Sequence, residues 1–158
     1  MLLLGSQSPT VLGEEENYRR VPSQMITMRD GVELSTDLYF PLEYQGKLPL
    51  ILVRTVYGKA QLFHWNPAWK ELVQQGYVIA FQDIRGRYES GGEYQSIRGR
   101  REDGIDTLDW IVKQPWSNGK VGTLGCSSTA EWQMAAASLN HPAHATLVAQ
   151  GFGAGVGR

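Results

Sequence analysis

Cysteine and long apolar runs are scarce in this sequence, and each shortage excludes a class of protein. The single cysteine, Cys126, excludes a network of internal disulfides and is typical of a reducing compartment, so we expect a cytoplasmic protein. No stretch approaches the roughly 20 apolar residues of a membrane-spanning helix, so we expect no membrane partner. Residues 1–5 are too few for the apolar core of a signal peptide and have no basic flank.

An excess of charge of either sign is also missing. The chain has 15 Lys+Arg against 16 Asp+Glu, a formal net charge of −1. This balance excludes a protein that binds nucleic acid through a basic surface. The spacings His-x-x-x-His and Cys-x-x-Cys are absent, and the glycine-rich residues 86–92 lack the spacing of a dinucleotide-binding or phosphate-binding loop. We therefore predict no metal, no cofactor and no nucleic-acid partner.

The order of apolar runs predicts an α/β fold of about one domain. Asp30-Gly31 is typical of a hairpin turn, so the first two strands are predicted to be antiparallel. Strands and helices alternate afterwards, which indicates a mainly parallel sheet with helices on both faces. The predicted strands are 24–28, 32–40, 50–53, 77–81, 121–124 and 145–150, and the predicted helices are 68–75, 102–113 and 128–139. Residues 1–23 are predicted to be a loose N-terminal arm, and 57–67 a loop.

The most informative stretch is the junction between the strand at 121–124 and the helix at 128–139. Gly125 precedes Ser127 by two positions, and small residues follow it. A strand that turns sharply into a helix beside small residues is typical of a nucleophile elbow, which holds a reactive serine in a strained backbone conformation. The helix N-terminus and the next backbone N–H can stabilise an oxyanion there.

Other interpretations of this junction stay open. A serine at the start of a helix is a common N-cap, and Gly-x-Ser alone does not distinguish the two roles. Ser128 is the weaker candidate for a nucleophile, because the bulkier Cys126 stands two positions before it. Cys126 is predicted to be a small buried residue, since no basic residue beside it favours the thiolate.

Five segments stand in a fixed order along the chain: 28–34, 53–59, 76–92, 102–111 and 116–122. Together they resemble the N-terminal part of the catalytic domain of the X-prolyl dipeptidyl-peptidase, cocaine esterase and α-amino-acid ester hydrolase family. The similarity runs from about Met28 to the end of the chain. The resemblance implies the N-terminal part of an α/β-hydrolase fold over residues 24–158. It also implies a serine hydrolase that acts on ester or amide bonds of small molecules or short peptides through an acyl-enzyme.

By the same resemblance, Ser127 is the nucleophile, and the oxyanion hole combines the backbone N–H of Ser128 with the phenol of Tyr57. Asp83 and Arg85 fall on a loop that the resemblance makes a structural ion-pair loop near the site. Two positions depart from the family pattern: Ser128 replaces a tyrosine and Ala130 replaces a glycine, so the shape of the pocket differs. Tryptophans that are candidates for an acyl pocket, or for the core, are Trp65, Trp69 and Trp132.

A serine hydrolase also needs a base and an acid that orients the base. After Ser127 the sequence has one acidic residue, Glu131, and two histidines, His141 and His144, and both histidines are best interpreted as structural. His64 precedes the nucleophile, which is the wrong order for this fold. In the resembled family the Asp and His come much later, together with a helical cap and a jelly-roll domain.

We therefore expect an unfinished sheet with an open edge after 145–150, and a chain that is inactive by itself. Its expected partners are the remaining C-terminal part of the protein and a small ester or amide substrate, with a homo-oligomer also possible. Two alternatives stay open: a non-catalytic interaction module or inactive fragment that keeps the scaffold, and an acyltransferase that uses the same nucleophile.

Overall fold

The computed structural model describes residues 17–95 and 101–151, and these form a six-stranded sheet covered by helices. The strands are β1 (Tyr18–Thr27), β2 (Glu33–Pro41), β3 (Leu48–Thr55), β4 (Val78–Asp83), β5 (Ser117–Cys126) and β6 (His144–Gln150). The helices are α1 (Lys59–Trp65), α2 (Ala68–Gln74), α3 (Glu102–Val112) and α4 (Ser128–Ala137).

The strand order in the sheet is β1-β2-β4-β3-β5-β6. β1 and β2 form an antiparallel hairpin that turns at Gly31, whose φ of +85° suits a residue without a side chain. β2 pairs antiparallel with β4, whereas β4, β3, β5 and β6 are parallel neighbours. The predicted mainly parallel sheet with two opening antiparallel strands is confirmed.

Alternating side chains of the central strands build a core on each face of the sheet. On one face, Leu52 packs with Leu108 of α3. On the other, Val53 packs with Phe63 of α1 and Val73 of α2. Full burial of each such side chain contributes about 1.5–3 kcal/mol to the free energy of unfolding. Helices on both faces are therefore required to cover strands that are apolar on both sides.

The largest differences between the sequence prediction and the structure concern β1, α1 and β5. β1 begins at Tyr18 rather than at position 24, so the predicted boundary of the arm at residue 23 is wrong, while positions 1–16 lie outside the described residues. The ring of Tyr18 packs on Phe63, with centroids 4.7 Å apart. The predicted loop 57–67 contains α1, a helix of 7 residues that is too short to show periodicity. β5 begins at Ser117, four positions before its predicted start.

No helix among the described residues is long and apolar enough to cross a membrane.

Two cationic side chains, those of Arg54 and Lys59, are buried near the carboxyl end of β3. Arg54 of β3 is fully buried and donates its Nε–H to Gln82 Oε1 over 2.8 Å. Burial lowers the pKa of Arg54 to about 10, although the negative charge of Asp103 opposes this shift. Lys59 lies nearby at the start of α1 and pairs with the carboxylate of Glu89 at 2.6 Å. Each buried cation thus has a polar or acidic partner, as burial of a charge requires.

The ion pair of Lys59 and Glu89 predicts a pH dependence of stability. Hydrogen bonds from Lys59, Ser23 and Ser35 lower the pKa of Glu89 from 4.5 to about 2. A carboxyl with a depressed pKa takes up a proton more readily when the chain is unfolded, so its stabilising effect is complete above about pH 4.5 and is lost as the pH falls toward 2. We expect the urea midpoint of Glu89→Gln to fall less steeply than that of the wild type over this range.

Tryptophan fluorescence during urea titrations between pH 2 and 6 would measure both midpoints. Glu71→Gln is the matched control, because Glu71 is an exposed residue of α2 and its midpoint should run parallel to the wild type. Equal slopes for Glu89→Gln and the wild type would contradict the prediction.

Candidate active site

The backbone of Ser127 is strained in the way that a nucleophile elbow requires. Ser127 follows β5 directly and precedes α4, with φ of +54° and ψ of −128°. For a residue with a side chain, such a conformation costs about 1–3 kcal/mol and persists only where the surroundings hold it. The Ser127 N–H donates to the carbonyl of Gln150 in β6 over 2.9 Å, and its carbonyl accepts from the N–H of Ala130 over 2.9 Å.

The interpretation of Ser127 as a helix cap is not supported by its hydrogen bonds. Ser127 occupies the N-cap position of α4, but its side chain makes no capping hydrogen bond. Thr129 closes the turn instead, since its Oγ1 accepts from the N–H of Cys126 over 2.8 Å and donates to the carbonyl of Cys126. The hydroxyl of Ser127 is exposed and is left for another role.

Gly125 is required by the close approach of β5 to α4. A Cβ on Gly125 would stand 2.5 Å from the carbonyl carbon and oxygen of Thr129 and 2.6 Å from the N of Ala130. These are backbone atoms of the helix, which cannot move aside as a flexible side chain can. The small residue two positions before the serine is therefore a direct consequence of the tight strand-to-helix turn.

A cavity of about 390 Å³ opens beside the elbow and brings two of the predicted site residues together. Ser127 and Tyr57 both line it, and none of its lining residues among those described is charged. Trp65 and Trp69 also line it, whereas Trp132 is buried in the core, where the Arg54 guanidinium lies 5.7 Å from its ring centroid. The prediction that Cys126 is buried is wrong: it is exposed and shares the cavity-facing side of β5 with Leu124.

The predicted oxyanion-hole donors lie on two different elements. Tyr57 lies two positions after the end of β3, and its N–H donates to Thr55 Oγ1 over 3.0 Å. Tyr57 is 45% exposed, and no described residue hydrogen-bonds its phenol. Ser128 is the first residue of α4, so its N–H has no partner within the helix. Both groups have unused donors.

Asp83 and Arg85 each have a partner, but they do not pair with each other. Asp83 Oδ1 accepts the backbone N–H of Lys59 over 2.8 Å, and burial raises the pKa of Asp83 despite this hydrogen bond. Arg85 binds Asp103 of α3 at 2.7 Å and Asp30 of the β1–β2 turn at 2.9 Å. The loop after β4 is thereby fastened to α3 and to the hairpin.

The histidines of the described residues do not contact Ser127. His141 Nε2 lies 3.1 Å from Asp109 Oδ1, and His144 Nε2 lies 2.8 Å from Thr123 Oγ1. Burial lowers the pKa of His144, which favours the neutral ring. His64 packs edge-on against Phe63, with centroids 5.9 Å apart. Residues 17–95 and 101–151 therefore bring no imidazole to the serine hydroxyl.

Sequence reasoning missed the charged cluster behind Tyr57. Lys59 is 1% exposed, and its Nζ lies 3.1 Å from Asp37 Oδ1 and 2.6 Å from Glu89 Oε2. A lysine in a polar stretch after a strand looks like a surface residue, and no local signal shows that it is buried. Within the described part of the chain, no group of three or more His, Cys, Asp or Glu side chains is placed to hold a metal ion.

Comparison with known proteins agrees with this geometry. Residues 30–154 match the family model for X-Pro dipeptidyl-peptidase (S15 family). A cocaine esterase of Rhodococcus sp. (strain MB1 Bresler) is 39% identical over 128 residues, which make up 78% of this chain and 22% of the esterase.

Solved structures give the same result. An α-amino acid ester hydrolase superposes with a TM-score of 0.75 at 29% identity, over 91% of this chain and 28% of that protein. A CocE/NonD family hydrolase from Staphylococcus aureus superposes with a TM-score of 0.72 at 28% identity, over 82% of this chain and 27% of the other. The chain spans about a quarter of the length of these relatives.

The order of strands, the turn at Ser127 and the family match over residues 30–154 agree with one another. The chain belongs to the X-Pro dipeptidyl-peptidase (S15) family and folds as the N-terminal part of an α/β-hydrolase domain.

Proposed function

We propose that this chain carries the nucleophile and the oxyanion hole of a serine hydrolase that cleaves ester or amide bonds of small molecules or short peptides. The observation that carries the proposal is the hydroxyl of Ser127. Ser127 is exposed on a strained turn, and its side chain makes no capping hydrogen bond. Ser127 lines the same cavity as Tyr57. The family and the relatives named above support the reaction type.

In the proposed reaction, a base takes the proton of the Ser127 hydroxyl while Oγ attacks the substrate carbonyl. The negative charge moves to the carbonyl oxygen, where the backbone N–H of Ser128 and the phenol of Tyr57 stabilise it. The alcohol or amine leaves with the proton, and an acyl-enzyme remains on Ser127. Water then attacks the acyl-enzyme in the same way and releases the acid.

The base and its orienting acid are proposed to come from a C-terminal part of the protein. The chain spans 22% of the esterase and 28% of the ester hydrolase that it resembles. β6 pairs with β5 on one side, and among the described residues no strand pairs with its other edge. Further parallel strands added at that edge would carry an acid and a histidine in the order typical of this fold.

The lining of the cavity supports an apolar acyl group as the part of the substrate bound beside Ser127. Aromatic rings of Trp65, Trp69 and Phe81 face the cavity, and no charged side chain of the described residues lines it. A charged acyl group would lose its hydration there without gaining a partner.

Labelling with a fluorophosphonate tests the nucleophile. In the complete protein we expect a covalent adduct on Ser127, mapped by mass spectrometry, and none in Ser127→Ala. Loss of the nucleophile lowers kcat by several orders of magnitude in related mechanisms. Ser128→Ala is the matched control and should still be labelled, because its backbone N–H is kept. An adduct at another serine, or no adduct in folded protein, would refute the proposal and favour a non-catalytic interaction module.

Replacement of Tyr57 by Phe tests the oxyanion hole. The phenol donor is lost while the ring is kept, so we expect kcat to fall by roughly 10²–10³ with little change in KM. Initial rates with a chromogenic ester would measure both constants. Tyr44→Phe is a suitable control, since Tyr44 is exposed and does not line the cavity. Equal rates for Tyr57→Phe and the wild type would remove Tyr57 from the mechanism.

Replacement of Gly125 by Ala tests the elbow. The added Cβ would meet backbone atoms of α4 at 2.5 Å, so strand and helix must separate and the Ser127 hydroxyl must move. We expect a loss of about 1–3 kcal/mol in the free energy of unfolding and a fall in kcat of at least about 10², since small misplacements cost that much. Gly122→Ala is the control, because the atom nearest to its added Cβ is a side-chain methyl of Thr146 at 3.1 Å rather than a backbone atom. It should lose less stability and less activity than Gly125→Ala. An active and stable Gly125→Ala would contradict the tight elbow.

A further inference from the structure

We propose that Lys59 is a positioning residue that holds the Tyr57 side chain in the cavity that Ser127 also lines, through a clamp on both sides of the Tyr57–Lys59 turn. The clamp consists of Lys59 with Asp37, Asp83 and Glu89. This inference rests on the proposed function, in which Tyr57 is an oxyanion donor.

The side chain of Tyr57 does not hold itself in place. Tyr57 is 45% exposed, and no described residue hydrogen-bonds its hydroxyl. A half-exposed ring on a turn samples several rotamers unless the backbone limits it. The direction of the phenol therefore depends on how the backbone from Thr55 to Lys59 is fastened.

The backbone is anchored immediately before and after Tyr57. Before it, the hydroxyl of Thr55 in β3 accepts the Tyr57 N–H over 3.0 Å. After it, Asp83 at the end of β4 accepts the Lys59 N–H over 2.8 Å. These two strands are parallel neighbours at the centre of the sheet, with Thr55 opposite Asp83, so both anchors lie at the carboxyl ends of the central strands.

The Lys59 side chain provides the third anchor. Lys59 is 1% exposed, and its ammonium bridges Asp37 of β2 at 3.1 Å and Glu89 of the loop after β4 at 2.6 Å. Burial alone would lower the pKa of Lys59, but its hydrogen bonds to Glu89 and Asp37 raise it above the ordinary value. The lysine is charged at neutral pH, and a buried charge cannot leave its partners without a large cost.

The residue between Tyr57 and Lys59 is confined as well. Gly58 has φ of +91°, and a Cβ at this position would lie 3.0 Å from the ring of Tyr88. Tyr88 and Glu89 belong to the loop that Arg85 fastens to α3 through Asp103. The loop after β4 thus packs closely against Gly58 through Tyr88 and pairs with Lys59 through Glu89. Both contacts limit the backbone conformations open to Tyr57.

A double-mutant cycle separates a positioning role from a purely structural one. In the complete protein we expect Lys59→Met to lower kcat by about 10–100-fold with KM changed less than about twofold, because the donor is misplaced while the pocket is kept. In a Tyr57→Phe background the same change should cost less than about threefold, because there is no phenol left to position. An equal cost in both backgrounds would overturn the proposal.

Two further variants guard against a folding defect in Lys59→Met. Glu89→Gln removes one charged partner of the ammonium and keeps Asp37, and the Glu89 side chain is 55% exposed. We expect it to lower kcat by about 3–10-fold and to show the same dependence on Tyr57. Glu71→Gln makes the same change of charge on an exposed position of α2 and should leave kcat at the wild-type value. Wild-type kcat in folded Glu89→Gln and Lys59→Met would overturn the proposal.

Hydrogen exchange distinguishes failure of the clamp from failure of the proposed function. If the complete wild-type protein shows no Ser127-dependent activity, the proposed function fails, and the exchange rates of the Tyr57 and Lys59 amides still test the clamp. We expect exchange at both amides to be at least about 10-fold faster in Glu89→Gln than in Glu71→Gln. Unchanged exchange would overturn the clamp whatever the activity.

Discussion

The pairing of buried charges at the carboxyl end of the sheet is the constraint on which the site depends. Arg54, Lys59 and Arg85 are all buried next to the loops that follow β3 and β4. A buried cation must be matched by a carboxylate or a hydrogen-bond acceptor. The acceptors come from other elements, Asp103 from α3 and Asp37 from β2. The ion pairs of Lys59 and Arg85 therefore join the hairpin, α3 and the loops that follow β3 and β4 into one unit.

The strand-to-helix turn at Ser127 lines the same cavity as Tyr57. α4 is joined to β3 by Gln133, whose amide donates to the carbonyl of Arg54 over 3.0 Å. The close approach at Gly125 and the positive φ of Ser127 aim the hydroxyl outward, and the anchored turn at Lys59 aims Tyr57 toward the same space. Close packing thus fixes one of these segments and buried charge the other, and both line one cavity without a charged residue in its described lining.

Much of the fold follows from local patterns. The hairpin at Gly31, the apolar runs of the parallel strands and the helices α2 to α4 are close to their predicted positions, since each carries a local signal of turn residues or periodicity. The start of β1 at Tyr18 and the whole of α1 were missed. Both are polar or short, and they gain their stability from packing against one another, with the Tyr18 and Phe63 rings 4.7 Å apart. Tertiary contacts of this kind leave no periodic trace in the sequence.

By itself, the sequence predicted the sharp strand-to-helix turn at Ser127, because a glycine and small residues around the serine are the local condition for such a turn. Through its resemblance to a known family it also pointed to Tyr57. Only the tertiary structure showed that the Ser127 side chain makes no capping hydrogen bond and lines the same cavity as Tyr57. The burial of Lys59 was also visible only there. The lysine's partners Asp83 and Glu89 lie 24 and 30 residues further along the chain. A charge becomes an internal anchor only when the folded sheet removes water from it and brings distant carboxylates within hydrogen-bonding distance.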